Sequence, residues 1–159
     1  MSLSINRKIF DRVKTAITGE GRVNMLSWAE SRDSVTAESV DEIRELPLLG
    51  DCQTTACIGG LVCYLVTSQE IAIVAEIYGL SNEDLHEPFT LSAALLINGA
   101  EDKYELESAC LPLFSLTHWP LEEQIAYGAS QTDAERNQIV LRRMDKWAAE
   151  IEALQSAES

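Results

Sequence analysis

The sequence predicts an all-α, mainly helical fold: a compact single-domain bundle of about six or seven helices with one packed, Pro-containing loop. Three observations predict it. Val140, Met144, Trp147, Ile151 and Leu154 follow one another at four- and three-residue steps, which keeps them on one helix face. Ile5, Ile9, Phe10, Val13 and Ile17 do the same near the N-terminus, with Arg7, Lys8, Asp11 and Arg12 largely on the other side. Ser81-Asn-Glu-Asp84 and Thr132-Asp-Ala-Glu135 have the spacing of capping boxes, in which hydroxyl and acid each satisfy a free backbone N–H of a helix start.

Taken in order, the first amphipathic helix covers 5–17 and ends at Gly19 and Gly21. Arg22–Trp28 alternates briefly and reads as an extended or irregular connection, with Met25 and Trp28 packed inward. Ser34–Leu46 places Val40, Ile43 and Leu46 on one side, a short helix stopped before Pro47. Leu48–Asp51 is a turn. Thr54 or Thr55 then caps a helix through Ile58, Leu61, Val62 and Leu65. That helix is apolar nearly all round, so it is expected to be central and buried. Gly59 and Gly60 inside it lower helix propensity, which predicts close approach of another helix or of a ligand.

Gln69–Tyr78 forms a further apolar helix closed by Gly79. A short helix from Ser81 stops near Pro88, and another covers Thr90–Ile97, ended by Asn98-Gly99. Leu111–Pro120 contains two prolines and no period, so it reads as the packed loop, and residues 100–110 carry no assigned element. Leu121–Tyr127 is a short helix. After the Thr132 capping box, the stripe Val140, Met144, Trp147, Ile151 and Leu154 reads as a packed helix of about five turns. Residues 1–155 make the single domain and 156–159 a frayed tail.

A chain of 159 residues, 46% of them hydrophobic, can bury a core without disulfides or metals. Its net charge of −14 is uneven. Residues 1–44 carry seven basic and seven acidic side chains, and residues 136–159 four of each. Residues 45–135 carry fifteen acids and one cation, Lys103, so the whole excess lies there. Direct nucleic-acid binding needs cations against phosphates and is disfavoured. No apolar run is long enough to span a bilayer, and the first residues lead into an amphipathic segment rather than an apolar leader. The expected setting is cytoplasmic, with no membrane contact; monomer and homodimer both stay open.

Cys52, Cys57, Cys63 and Cys110 are expected as small hydrophobes in a reducing compartment, although a Cys52–Cys57 bridge is within geometric reach. Cys57 lies near the start of the central helix, where the helix dipole and free N–H groups favour a thiolate. A cysteine-dependent hydrolase or transferase would use Cys57 with His86 or His118 as base, and Gln53, Thr54 and Thr55 as donors to an oxyanion. The spacing of the Cys and His residues does not match a zinc module, and neither a metal nor another cofactor is expected. Cys52, Thr55, Gly59, Gly60, Trp28 and Trp147 read as structural. A third reading is a small-ligand pocket beside Gly59-Gly60.

Three stretches, Arg22-Val-Asn-Met-Leu-Ser-Trp28, Cys52-Gln-Thr-Thr-Ala-Cys-Ile-Gly-Gly60, and Tyr78-Gly-Leu-Ser with Glu87-Pro-Phe89, resemble a family of small uncharacterised bacterial and phage proteins. Its pattern is Met-x-x-Trp, Cys-Gly-Thr-x-x-Cys-x-Ala-Gly, a Leu-Gly-Leu turn and a Trp-Pro segment, the last place filled by Trp119-Pro120. Gln53 and Gly59 depart from the pattern, and residues 29–50 read as an acidic insert. The resemblance covers about residues 22–127 and implies no activity; it suggests a phage or mobile-element origin.

The leading expectation is a non-enzymatic acidic interaction protein that binds, and by analogy blocks, a basic partner surface of the kind that holds nucleic acid. Glu83, Asp84, Glu87, Glu101, Asp102, Glu105, Glu122 and Glu123 are its candidate binding residues.

Overall fold

The computed structural model describes residues 3–18, 22–30, 36–46 and 55–158. The chain enters through β1 (Ser4–Ile5) and turns at Asn6 into α1 (Arg7–Thr18), which buries Ile9, Phe10, Val13 and Ile17. Ile5 therefore stands in a strand rather than in the helix; β1 pairs antiparallel with β6 (Ile97–Asn98), Ile5 opposite Ile97. Gly19 and Gly21 lie outside the described residues.

Next come β2 (Arg22–Val23), β3 (Ala29–Glu30) and β4 (Thr36–Ala37), and then α2 (Val40–Glu45). The Ser39 hydroxyl and the Glu42 carboxylate close a capping box that starts α2. The helix is thus shorter than the sequence suggested, because Thr36 and Ala37 are drawn into strand pairing. β5 (Thr55–Ala56) sits between β2, which it meets in parallel, and β3, which it meets antiparallel; β4 completes the order β2-β5-β3-β4. These two-residue strands tie the connections to the helices.

α3 (Ile58–Leu65) is the centre, with Ile58, Gly59, Gly60, Leu61, Val62 and Cys63 all buried. It packs on α6 (Pro88–Leu96), α2 and α1. α4 (Ser68–Tyr78) starts on a Thr67–Glu70 capping box and ends at Gly79, whose φ of 61° is the left-handed geometry glycine takes without strain. α5 (Asn82–His86) follows its expected Ser81–Asp84 box.

The principal correction is α7 (Lys103–Phe114), a full helix whose last turn, from Leu111, falls in the expected packed loop and whose earlier residues had no assigned element. Pro112 lies in its last turn. A proline there forgoes only the bond to the carbonyl of Ser108, an exposed residue. Asp102 caps the helix start, and Leu106, Cys110, Leu113 and Phe114 form its buried face. A 3-10 turn (Leu116–His118) leads to α8 (Leu121–Ala129) and the long α9 (Asp133–Glu158). α9 continues past Leu154, beyond the five turns its apolar stripe marked. Its Val140, Met144, Trp147 and Ile151 are buried as their spacing requires. Trp147 stacks on Phe10 at 6.1 Å between ring centroids, and its indole N–H donates to the Ala109 carbonyl at 2.9 Å.

Candidate functional site

The tightest neighbour of both glycines of α3 is Trp28. A Cβ on Gly60 would stand 1.7 Å from the Trp28 carbonyl oxygen, and one on Gly59 would stand 2.5 Å from Trp28 Cζ3. What comes closest is therefore the 25–28 loop, while α6 approaches as expected on the Gly59 side, where the Ser92 hydroxyl donates to the Gly59 carbonyl at 2.7 Å. Three bonds hold that loop: Asn24 N–H to the Ala56 carbonyl (3.0 Å), Cys57 N–H to the Ser27 carbonyl (3.1 Å), and Met25 N–H to the Tyr127 hydroxyl oxygen (2.8 Å). Trp119 packs edge-on against Tyr127, and its indole donates to the Leu113 carbonyl. The stretches around Met25–Trp28, Cys57–Gly60, Phe89 and Trp119 thus build one structural unit, although they lie far apart in the chain.

Met25 is buried in this unit, but Trp28 is only partly so. Its ring meets Phe89 edge-on at 6.3 Å, and Phe89 meets Phe114 the same way at 5.4 Å. This ladder lies between two hollows that share Trp28, Phe89 and Leu111. One, of about 410 Å³, is lined also by Met25, Leu26, Ser27, Cys57, Phe114 and Leu116. The other, of about 470 Å³, is lined also by Glu87, Tyr104, Glu107 and Ser108. Both are in the size range of ligand sites. Leu26 at one end and Tyr104 at the other are each 80% exposed. Neither Gly59 nor Gly60 lines either hollow.

The acids fall into three groups. Asp84 and Lys103 pair at 2.9 Å, and that bond, with the Ser81 N–H and hydroxyl, holds the Asp84 carboxyl down to about 2. Glu107 stands 4.0 Å from the same lysine and accepts from the Thr90 hydroxyl. Glu101, Asp102 and Glu105 organise the α7 start: Asp102 accepts from Glu105 N–H, and Glu105 accepts from Glu101 N–H. Glu83 and Glu122 are exposed. Glu87 is the N-cap of α6 but makes no capping bond, and its carboxylate has no hydrogen-bond partner among the described residues.

Glu123 is unlike the others. It is buried on α8 and accepts from Arg143 Nη1 at 2.9 Å; that arginine is 1% exposed and also donates to Glu150. Glu123 is committed to the α8–α9 contact and is not open to a partner, because removing one member of a buried pair strands the other charge. The signal was in the sequence: Arg143 lies three residues after Val140 and four before Trp147, on the buried face of α9.

Cys57, not Thr54 or Thr55, caps α3: its Sγ accepts from Gly60 N–H at 3.3 Å. Thr55 is in β5, and Cys52, Gln53 and Thr54 lie outside the described residues. Burial pushes the Cys57 thiol up to about 11 despite the bonds from Gly60 and Gly59. Desolvation outweighs the helix-start effect here. Cys63 rises to about 12 for the same reason, although it lies 3.1 Å from the Ser92 hydroxyl, and Cys110 is raised too. His86 Nδ1 is 3.2 Å from Asp41, and His118 Nδ1 sits between the Ser115 and Thr117 hydroxyls. None of these histidine contacts involves Cys57. Among the described residues, no group of three or more His, Cys, Asp or Glu side chains is placed to hold a metal ion. No single described helix is long and apolar enough to cross a membrane.

Compared with known protein families, curated proteins and solved structures, the chain matches none of them.

Proposed function

We propose that this protein acts by binding a basic protein partner, at the groove between the 25–28 loop and α7. The observation that carries the reading is Glu87: an uncapped, exposed carboxylate on the rim of a hollow floored by Trp28, Phe89, Tyr104 and Leu111. An aromatic floor with acids on its rim favours a cation over an anion, through ring quadrupoles and direct charge. The charge map supports it further. Several cations of the two chain ends are matched by acids of their own fold: Arg143–Glu123 is buried, Arg12–Glu70 is partly so, and Lys14–Asp145 and Arg7–Glu152 lie at the surface. Among the described residues Lys103, paired with Asp84, is the one cation shared by Asp84, Glu107 and Glu87, so the rim acids outnumber it. A basic surface covered in this way is closed to phosphates, which is how inhibition of a nucleic-acid-binding partner would follow.

The test immobilises the wild-type protein and the double variant Glu87→Gln/Glu107→Gln and offers each the same cell extract at low and high salt. The reading expects a basic protein held by the wild type, released by salt and held roughly tenfold less by the variant. Capture that is indifferent to salt and to both substitutions would count against it.

A further inference from the structure

The two hollows differ in chemistry, and the difference specifies an occupant. The hollow at Leu26 has no charged lining: Met25, Leu26, Trp28, Phe89, Leu111, Phe114 and Leu116 supply its apolar walls. The hollow at Tyr104 has Glu87 and Glu107 on its rim. Trp28 stands on the boundary. The indoles of Trp119 and Trp147 donate to backbone carbonyls, whereas the Trp28 N–H has no acceptor among the described residues and is not among the buried unpartnered groups. Trp28, which lines both hollows, thus keeps a donor without an acceptor among the described residues. The glycine contacts of α3 and the three loop bonds fix Trp28 in place before any partner arrives, which lowers the ordering cost of binding.

We infer that the groove binds a short linear segment of the partner in one direction: an apolar side chain in the Leu26–Phe114 hollow, and a Lys or Arg a few residues away in the Glu87–Glu107 hollow over Tyr104. A carbonyl between them accepts from the Trp28 N–H. This rests on the proposed binding of a basic partner and adds its sequence grammar: charge alone does not suffice, because half of the site is apolar.

The experiment selects displayed random peptides of about twelve residues on the wild-type protein and measures the winning synthetic peptides against three variants. Leu26→Ala and Tyr104→Ala alter exposed side chains at opposite ends, and Glu87→Gln/Glu107→Gln removes the rim charge. The expected winners pair an aliphatic or aromatic residue with Lys or Arg at a fixed spacing. Leu26→Ala weakens them severalfold at every salt concentration, whereas the Glu87/Glu107 variant weakens them roughly tenfold and flattens their salt dependence. Circular dichroism confirms that each variant is folded. Winners that are merely polybasic and bind all three variants like wild type would overturn the groove while leaving a basic partner standing. No enrichment at all would overturn both.

Discussion

α3 and α4 follow one another, both are rich in aliphatic residues, and they meet opposite fates. Every residue of α3 from Ile58 to Cys63 is buried, whereas α4 has no buried residue, with Ile73 48% and Ile77 66% exposed. Composition alone does not set this difference. α3 begins with two glycines that admit the Trp28 backbone and ring, and its last carbonyls are taken by cations from elsewhere: Arg44 donates to Cys63 and Val66, and Arg12 to Leu65. A helix can be buried when its neighbours can reach its backbone and its free carbonyls are satisfied. α4 has no glycine inside it and lies on the core by one edge only, through the partly buried Ile71, Val74 and Tyr78. Its start is held by Glu70, which caps Thr67 and accepts from Arg12, and its end by the Tyr78 hydroxyl, which donates to the Ile97 carbonyl.

The largest effect expected from this contrast is on reactivity. With the thiol raised to about 11, roughly one Cys57 in a thousand is thiolate at pH 8. Alkylation by iodoacetamide, followed by peptide mass spectrometry, should label Cys57 in the folded protein at least about a hundredfold more slowly than in the unfolded chain. Labelling at the unfolded rate would restore the nucleophile reading.

On stability, Gly60→Ala should cost the most. Its Cβ meets a backbone oxygen that cannot turn aside, so a loss above about 3 kcal/mol in urea denaturation is expected. Gly59→Ala meets a ring edge that can shift, and should cost about 1–3 kcal/mol. Equal, small losses at both positions would break the account of α3.

A smaller effect belongs to α4. The Arg12 hydrogen bond leads the causes that lower the Glu70 carboxyl from its ordinary 4.5 to about 2. A depressed carboxyl stabilises the fold above its unfolded value and loses that contribution as the pH falls from about 4.5 toward 2. Glu70→Gln should therefore flatten the acid limb of a stability–pH profile, and an unchanged limb would contradict the Arg12–Glu70 anchor. The smallest effect is on the outer face: Ile73→Ser and Ile77→Ser should each change stability by less than about 1 kcal/mol. A larger loss would mean that α4 is covered by a partner or a second copy.

What could be read from the sequence follows the same divide. Period and caps marked α1, α5 and α9, because each repeats an apolar stripe or carries a short capping box, and α3 was marked by its all-round apolar run although its cap is Cys57 rather than a threonine. α7 was hidden by Pro112, since a proline in the last turn of a helix looks locally like one in a loop. The two-residue strands were hidden because their pairing is entirely between distant segments. Gly59-Gly60 correctly announced a close approach, but the identity of what approached needed the third dimension. Of the candidate site, Trp28, Cys57 and Glu87 were visible as residues; that Trp28, Phe89, Tyr104 and Leu111 form one groove was not. The buried Arg143–Glu123 pair was missed because a pair of adjacent glutamates reads as solvated unless its partner helix is known.

The most direct test of the central claim, that the groove is where a basic partner binds, is hydrogen–deuterium exchange of the protein with and without a captured partner. New protection is expected in residues 25–28 and in the first turns of α7, from 103 to 108, whose Lys103, Tyr104 and Ser108 are exposed. Protection confined to α4 or to the exposed face of α8, with the 25–28 loop unchanged, would contradict it.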